Sequence, residues 1–157
     1  MKNEKIDEFR GKYYFLSNFY PNASTVFEKV EYSSSECAYQ AAKTKNKEIR
    51  ILFTDMTPKE SKSFWHKKEN QKYFREDWND EYKLKVMKEV VKSKFEKNLF
   101  LRIKLVMTKE KLLIEGNYWK DTFWGICDGI GKNYLGKILM EVREEFKPSL
   151  LKFISKK

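Results

Sequence analysis

The chain has 157 residues, and its 33 lysine and arginine residues against 23 aspartate and glutamate residues give a formal net charge of +10. It contains one histidine, His66, and two cysteines, Cys37 and Cys127. The length fits one domain over residues 1–157 that buries a core of its own. A single histidine nearly excludes Ser-His-Asp, Cys-His and histidine-rich zinc chemistry. Any acid–base catalysis therefore depends on carboxylates, lysine or tyrosine. We expect no metal and no cofactor.

Composition favours a soluble protein of the cytoplasm. The opening MKNEKIDEFR lacks the apolar core of a secretory signal, and no apolar run reaches the ~18 residues of a membrane span. The charge can attract nucleic acid or nucleotides. However, 28 of the 33 cationic residues are lysine, and bidentate phosphate recognition favours arginine. A lysine-rich surface that only keeps the protein soluble is the alternative.

The first half of the chain predicts short strands followed by helices. Residues 13–16 and 26–32 are rich in aromatic and β-branched side chains, so each predicts a short strand, with a turn at Pro21. Ser35, preceded by two further serines that suit helix caps, begins a predicted helix. Further along, Pro58 suits the first position of another helix.

The second half is mainly helical. Apolar side chains recur at helical spacing over residues 82–97, Asn98 interrupts the pattern, and residues 99–107 predict a further helical piece. Residues 112–114 predict a short buried strand, and residues 134–146 predict the final helix. Strands and helices mix without a regular βαβ order, which indicates the α+β class.

Three polar side chains stand out in the helix that begins at Ser35. Glu36, Gln40 and Lys43 are spaced i, i+4 and i+7, so they share one helix face. The first-turn position of Glu36 favours its ionised form, which can orient water or stabilise a developing cation. Lys43 can bind phosphate or, when desolvated, act as an amine nucleophile. The alternative, favoured by the spacing alone, is an ordinary solvated face with i,i+4 pairs.

A second group of candidates lies between Asp121 and Asn133. Glycines that lead into a helix start, Gly131 among them, suit an anion because free N–H groups point outward there. The pattern fits neither a Walker A loop nor a Rossmann fingerprint, and a glycine-rich connector with a helix cap is the favoured alternative. In a regular strand Asp121 and Trp124 would face opposite sides, so both reach one site only if the chain bends, for example at Gly125.

Aromatic residues make up 16% of the chain. Trp78, Trp119 and Trp124 stand beside polar residues rather than inside apolar runs, and such rings can stack against a base. Most of the aromatic residues are nevertheless expected in the core or over it. His66 has no second ligand candidate beside it, so we expect it at the surface or its boundary.

Taken together and in this order, these blocks resemble the NADAR/YbiA-like family. The resemblance spans nearly the whole chain and rests on Leu16-Ser17-Asn18-Phe19, Ser35-Glu36 through Lys43, Trp78 ahead of a long helix, Lys94-Phe95, Asp121 before Phe123-Trp124-Gly125, Gly131-Lys132-Asn133 before Leu135-Gly136, and Leu139 through Arg143. One departure is Cys37, which stands where the family usually has histidine. If that histidine only packs, cysteine is a small hydrophobic replacement; if it assists the chemistry, that assistance is missing here.

The resemblance implies a compact, mainly helical α+β domain with a few short strands that hydrolyses a ribose–nitrogen bond. The implied substrate is a phosphoribosyl or ADP-ribosyl compound: a phosphoribosylamino-pyrimidine of riboflavin synthesis, or ADP-ribosylated guanine, free or in DNA. It implies catalytic roles for Glu36, Lys43 and Asp121. It implies substrate contacts for Asn18, Tyr39, Trp78, Trp124, Gly131 and Asn133.

The chemistry of these residue types agrees with that activity. Breaking a ribose–nitrogen bond develops positive charge at the anomeric carbon, which a carboxylate stabilises while a second group protonates the base or activates water. We expect Glu36 to position water or stabilise the cation and Asp121 to assist proton transfer. Alternatively, Lys43 attacks the opened sugar as an imine-forming amine. Two other classes stay open: a non-catalytic module that binds ADP-ribose or nucleic acid, and a structural or partner-binding domain.

Overall fold

The computed structural model describes residues 4–154, except for the side chains of residues 150, 153 and 154. Short strands are mixed with a larger share of helix, so the predicted α+β class is confirmed. The contacts divide the chain into two compact units, residues 18–98 and residues 1–17 with 99–157. The single domain over residues 1–157 stays a prediction. Within residues 4–154, no helix combines the length and apolar character needed to cross a membrane.

The elements are numbered in chain order. They are β1 (Lys5–Ile6), a 3-10 helix (Gly11–Leu16), β2 (Thr25–Phe27), β3 (Val30–Tyr32), α1 (Ser35–Ala41), α2 (Lys47–Leu52), α3 (Pro58–Phe64), a second 3-10 helix (Lys68–Tyr73), α4 (Asp80–Lys97), α5 (Leu99–Val106), β4 (Leu112–Leu113) and α6 (Tyr134–Ile154).

The unit of residues 18–98 opens with a β-hairpin. Strands β2 and β3 pair antiparallel, and the turn between them consists of Glu28 and Lys29, both with positive φ (45° and 68°). The single strand predicted over residues 26–32 is therefore wrong. Two-residue hairpin turns of this kind usually carry Asn-Gly or Asp-Gly, and this sequence lacks that signal. A contact from α2 holds the turn instead, since the Arg50 guanidinium pairs with the Glu28 carboxylate.

Two helices of this unit, α1 and α3, begin where the sequence predicts them, whereas α2 was not predicted. Helix α1 starts at Ser35, capped by Ser34, whose Oγ accepts the Cys37 N–H at 3.1 Å. Helix α3 starts at Pro58, as predicted. The long amphipathic helix is also confirmed as α4, which begins at Asp80, two residues before the predicted start at 82, and ends at Lys97 with Asn98 as its C-cap.

Helix α1 lies at the centre of this unit, because it packs against β2, α3 and α4. Its alanines Ala38 and Ala41, and Ala42 at its C-cap, are fully buried, so neighbouring elements approach the helix closely. Other fully buried core side chains are Tyr32, Phe53, Val86, Met87, Val90, Val91 and Phe95. The single histidine is exposed, as predicted.

The unit of residues 1–17 and 99–157 pairs β1 with β4 in parallel and packs α5 against α6. The strand predicted over residues 13–16 is wrong, because these residues belong to a 3-10 helix. Neighbouring Phe15 and Leu16 are both buried, and a strand would have sent them to opposite faces. The final helix runs to Ile154 rather than to the predicted residue 146.

Candidate active site

Asn18 fixes the start of helix α1, where Glu36 lies. The Glu36 N–H donates to the Asn18 carbonyl oxygen at 3.1 Å, and the Ser35 hydroxyl donates to Asn18 Oδ1 at 3.0 Å. The Asn18 Nδ2 donates to the sulfur of Met87 on α4 at 3.0 Å. Buried Asn18 therefore ties the backbone of Glu36 to α4. A direct contact of Asn18 with substrate stays a prediction.

A buried hydrogen bond joins the side chains of Glu36 and Gln40. The Gln40 Nε2 donates to Glu36 Oε1 at 2.7 Å, and the two residues are 4% and 6% exposed, respectively. The Gln40 carbonyl oxygen accepts the Trp65 indole N–H at 3.2 Å. The i,i+4 spacing predicts this contact, but sequence reasoning assigned Gln40 no role. The solvated-face alternative for these residues is wrong at Glu36 and Gln40, since both are buried.

Two aromatic rings lie beside the ammonium of Lys43. The Lys43 Nζ is 5.2 Å from the centre of the Tyr39 ring and 5.9 Å from that of Trp78. The two rings meet edge to face at 5.4 Å, and Trp78 also contacts Phe74 and Tyr82. Lys43 lies two residues beyond Ala41, the last residue of α1, and so just past the end of the helix whose first turn holds Glu36.

Burial lowers the pKa of Lys43 to about 8, against an ordinary value of 10.5. The negative charge of Glu36 offsets part of this shift, while the positive charges of Lys62 and Lys83 lower the pKa further. With a pKa near 8, roughly a quarter of the amine is neutral at pH 7.5. Both the neutral amine and the ammonium of Lys43 are therefore present near neutral pH. The neutral form can act as a nucleophile or a base.

Arg75 holds the segment that contains Lys43, although nothing in the local sequence points to it. The Arg75 backbone N–H donates to the Lys43 carbonyl oxygen at 2.8 Å, and its guanidinium donates to the Ala42 carbonyl oxygen at 3.2 Å. The same guanidinium donates to the Tyr82 hydroxyl and forms an ion pair with Asp77. These contacts come from a distant part of the chain, so spacing could not predict them.

In the other unit, Asp121 bends its own loop. Its Oδ1 accepts the backbone N–H groups of Phe123 at 3.1 Å and Trp124 at 2.9 Å. Asn117 closes the loop, donating to the Asp121 carbonyl oxygen and accepting its N–H. The bend expected near Gly125 is thus made at Asp121. The catalytic role of Asp121 and the substrate contact of Trp124 stay predictions.

The amides that lead into helix α6 are already paired within the protein, so they are not free to bind an anion. The N–H groups of residues 132–135 donate to carbonyl oxygens of residues 122–125 at 2.8–3.3 Å. The connector interpretation of the glycine-rich loop is therefore the better supported one. A Cβ on Gly131 would lie 2.1 Å from the Gly125 carbonyl oxygen, so close backbone approach explains this glycine. Its contact with substrate stays a prediction.

Asn133 ties the same loop to strand β4. Its Oδ1 accepts the Glu115 N–H at 3.0 Å, and its Nδ2 donates to the Leu113 carbonyl oxygen at 2.9 Å. The residue is buried, with φ at +53°, a conformation that asparagine tolerates well. Asn133 therefore positions the loop that precedes α6, and its predicted contact with substrate is not decided by these bonds.

Cys37, at the position of the family's usual histidine, is fully buried. Its Sγ donates to the Met56 carbonyl oxygen at 3.2 Å and accepts the Ser33 hydroxyl at 3.7 Å. The thiol therefore joins α1 to the segment before α3, and it packs as a small buried side chain.

The nine predicted site residues thus fall into two groups. The unit of residues 18–98 holds five of them: Glu36 and Tyr39 on α1, and Asn18, Lys43 and Trp78 in the connecting segments. The other unit holds Asp121, Trp124, Gly131 and Asn133 in one hydrogen-bonded loop. The first group is the one in which a carboxylate, an amide, an amine and aromatic rings lie side by side.

Known proteins match this chain over most of its length. A riboflavin biosynthesis protein of Vibrio vulnificus is 39% identical over 133 residues, which is 83% of this chain and 35% of that protein. An N-glycosidase of Nostoc punctiforme is 34% identical over 137 residues, 84% of this chain and 85% of that protein. The N-glycosidase YbiA of Escherichia coli is 37% identical over half of this chain and 48% of its own length. The matched region therefore spans about a third of the Vibrio protein and about half of YbiA.

The fold gives the same result. The NMR structure of E. coli YbiA superposes with a TM-score of 0.81 at 28% identity, over 96% of this chain and 89% of that one. The family model of the NADAR domain matches residues 6–147, a range that includes both groups of predicted site residues. The chain therefore belongs to the NADAR domain family.

Proposed function

We propose that this chain is an N-glycosidase that hydrolyses the ribose–nitrogen bond of a phosphoribosyl or ADP-ribosyl compound. The observation that carries the proposal is the buried Glu36 carboxylate held by Gln40 on α1, with an amine of pKa about 8 at half-buried Lys43 just after the helix. The relatives named N-glycosidase in Nostoc and E. coli support the reaction type.

In this mechanism the carboxylate of Glu36 faces the developing positive charge. As the ribose–nitrogen bond breaks, the base leaves with the electron pair and the anomeric carbon becomes cationic. The buried carboxylate stabilises that cation and takes a proton from the attacking water. Because Asn18 and Gln40 hold Glu36 at both its backbone and its side chain, the carboxylate is oriented before substrate binds.

Lys43 supports a covalent variant of the same reaction. The neutral amine attacks the anomeric carbon, and the base departs with the bonding electrons and a proton. Ring opening then gives an imine, and water hydrolyses it to release the sugar and restore the amine. The lowered pKa supplies the neutral amine that this route needs.

The substrate we favour is a phosphoribosylamino-pyrimidine. The name of the Vibrio relative, a riboflavin biosynthesis protein, supports this class, and the net charge of +10 suits a phosphorylated sugar. Asp121 is proposed to assist proton transfer, as the family pattern implies. ADP-ribosylated guanine is the second substrate to be compared, free and in DNA.

The test incubates the protein with each substrate and follows free base or released ADP-ribose by mass spectrometry. Replacing the carboxylate in Glu36→Gln is expected to lower turnover by two orders of magnitude or more, with the fold intact by circular dichroism. The matched control is Glu48→Gln, since Glu48 is an exposed glutamate in the first turn of α2. A fully active Glu36→Gln protein contradicts the proposal. Binding without base release and with a steep salt dependence favours the non-catalytic module.

A further inference from the structure

The side chain of Gln40 has an acceptor that the described protein does not use. Its Nε2 donates to Glu36 Oε1, whereas its Oε1 is buried and has no hydrogen-bond partner among the described residues. Lys43 does not supply a donor, because its ammonium lies over the Tyr39 and Trp78 rings. A buried acceptor without a hydrogen-bond partner costs free energy. The unpaired Gln40 Oε1 therefore indicates that a ligand or water molecule donates a hydrogen bond to it.

The neighbouring carboxylate sets the orientation of the amide. An ionised carboxylate only accepts hydrogen bonds, so the NH₂ group of Gln40 must face Glu36 and the carbonyl oxygen must face away. Because Nε2 and Oε1 of Gln40 are bonded to the same carbon and Nε2 contacts Glu36 Oε1, the oxygens Gln40 Oε1 and Glu36 Oε1 are near enough for one water molecule to contact both. The pair therefore presents two neighbouring acceptors to a single small donor.

We propose that Gln40 Oε1 and the Glu36 carboxylate together hold the water molecule that attacks the ribose, an inference that rests on the proposed function. Water has two O–H donors, one for each acceptor, and its lone pair then points toward the anomeric carbon. The oxygen bonds to that carbon, the bond to the base breaks, and the base leaves with the electron pair and takes up a proton. Glu36 receives the proton of the water. In the covalent variant the same water hydrolyses the imine.

The role predicts a specific kinetic pattern in Gln40→Met, which keeps the length of the side chain and removes the amide. We expect kcat to fall 10- to 100-fold and KM to change less than twofold, because water rather than substrate loses its acceptor. Added hydroxylamine competes with water for the reacting carbon and is a stronger nucleophile. The ratio of hydroxylamine product to hydrolysis product is therefore expected to rise several-fold in the variant.

Gln71→Met is the matched control, because the Gln71 amide donates to the Trp65 carbonyl oxygen and not to Glu36. It is expected to keep the wild-type kcat and product ratio. A Gln40→Met protein with wild-type kcat, or one in which KM rises while kcat and the product ratio stay unchanged, overturns the inference. If Gln40→Met does not fold, Gln40→Asn, which keeps an amide too short to reach both partners, is measured in the same way. An inactive wild-type protein would instead refute the proposed function itself.

Discussion

The ammonium of Lys43 lies 5.9 Å from the centre of the Trp78 ring. Together with the Tyr39 ring, Trp78 removes water from one side of the amine, and this desolvation lowers the pKa of Lys43 to about 8. The charge of Glu36 opposes the shift but does not cancel it. The segment that follows α1 therefore carries an amine that changes charge close to neutral pH.

The pH dependence of activity distinguishes the two roles of Lys43. A nucleophilic amine must be neutral, so kcat/KM is expected to rise with pH through about 8 and then level off. Borohydride added during turnover should then trap a substrate adduct on Lys43. A kcat/KM that falls above pH 8, without an adduct, shows that the protonated ammonium is the working form.

The same pKa predicts a pH-dependent stability. The lysine titrates near 8 in the folded state and near its ordinary 10.5 when unfolded, so between these values the unfolded state binds more protons and stability rises with pH. The Lys43→Met variant avoids the free-energy cost of desolvating a charged amine in the folded state. It is expected to be more stable than the wild type at pH 7 by about 1–3 kcal/mol, allowing for partial exposure. Urea unfolding of both proteins should show a smaller difference in the free energy of unfolding at pH 10 than at pH 7. A difference that does not change with pH would show that Lys43 is not desolvated in the folded protein.

Removing the Trp78 ring should restore water to Lys43. In Trp78→Ala the pKa of Lys43 is expected to move from about 8 toward 10.5. The measurement is the pH midpoint of amine acetylation at Lys43, read by peptide mass spectrometry. Trp119→Ala is the control, because Trp119 is 47% exposed and lies in the other unit. An unchanged midpoint in Trp78→Ala would show that this ring does not cause the shift.

Asp121 can be tested separately as a turn former and as a carboxylate. Asp121→Asn keeps Oδ1, which accepts the N–H groups of Phe123 and Trp124, so its stability should stay within about 0.5 kcal/mol of the wild type. Asp121→Ala loses both bonds and should cost about 1–2 kcal/mol. If the charge assists proton transfer, activity falls at least tenfold in both variants. A fully active Asp121→Asn protein would show that Asp121 forms the turn and does not take part in proton transfer.

The close approach at Gly131 predicts a steric effect on stability. A Cβ there would lie 2.1 Å from the Gly125 carbonyl oxygen, so Gly131→Ala should cost about 1–3 kcal/mol or more through displaced backbone. Gly129→Ala is the matched control, since Gly129 has φ +77° but nothing within 4 Å of the added carbon. Strain alone should cost about 1 kcal/mol there. Equal losses in the two variants, measured by denaturant unfolding, would argue against the steric explanation.

Local sequence determined where helices α1, α3 and α4 form and which of the α1 side chains share a face. The serine cap before α1, Pro58 at the start of α3 and the apolar repeat of α4 all act within a few residues, so spacing alone predicts them. The i, i+4 spacing likewise placed Gln40 beside Glu36. These features depend only on the regular spacing of side chains in a helix, which is the same in every helix.

Tertiary structure decided what the helical spacing could not. Arg50 holds the Glu28-Lys29 turn, which has no glycine or asparagine signal. Asn18 reaches Met87 on a distant helix. The reactivity of Lys43 was likewise open in the sequence, where a solvated lysine and a desolvated one look the same. Burial, to which the sequence-distant Trp78 ring contributes, lowers its pKa, because desolvation depends on the three-dimensional surroundings of a charge rather than only on its neighbours in sequence.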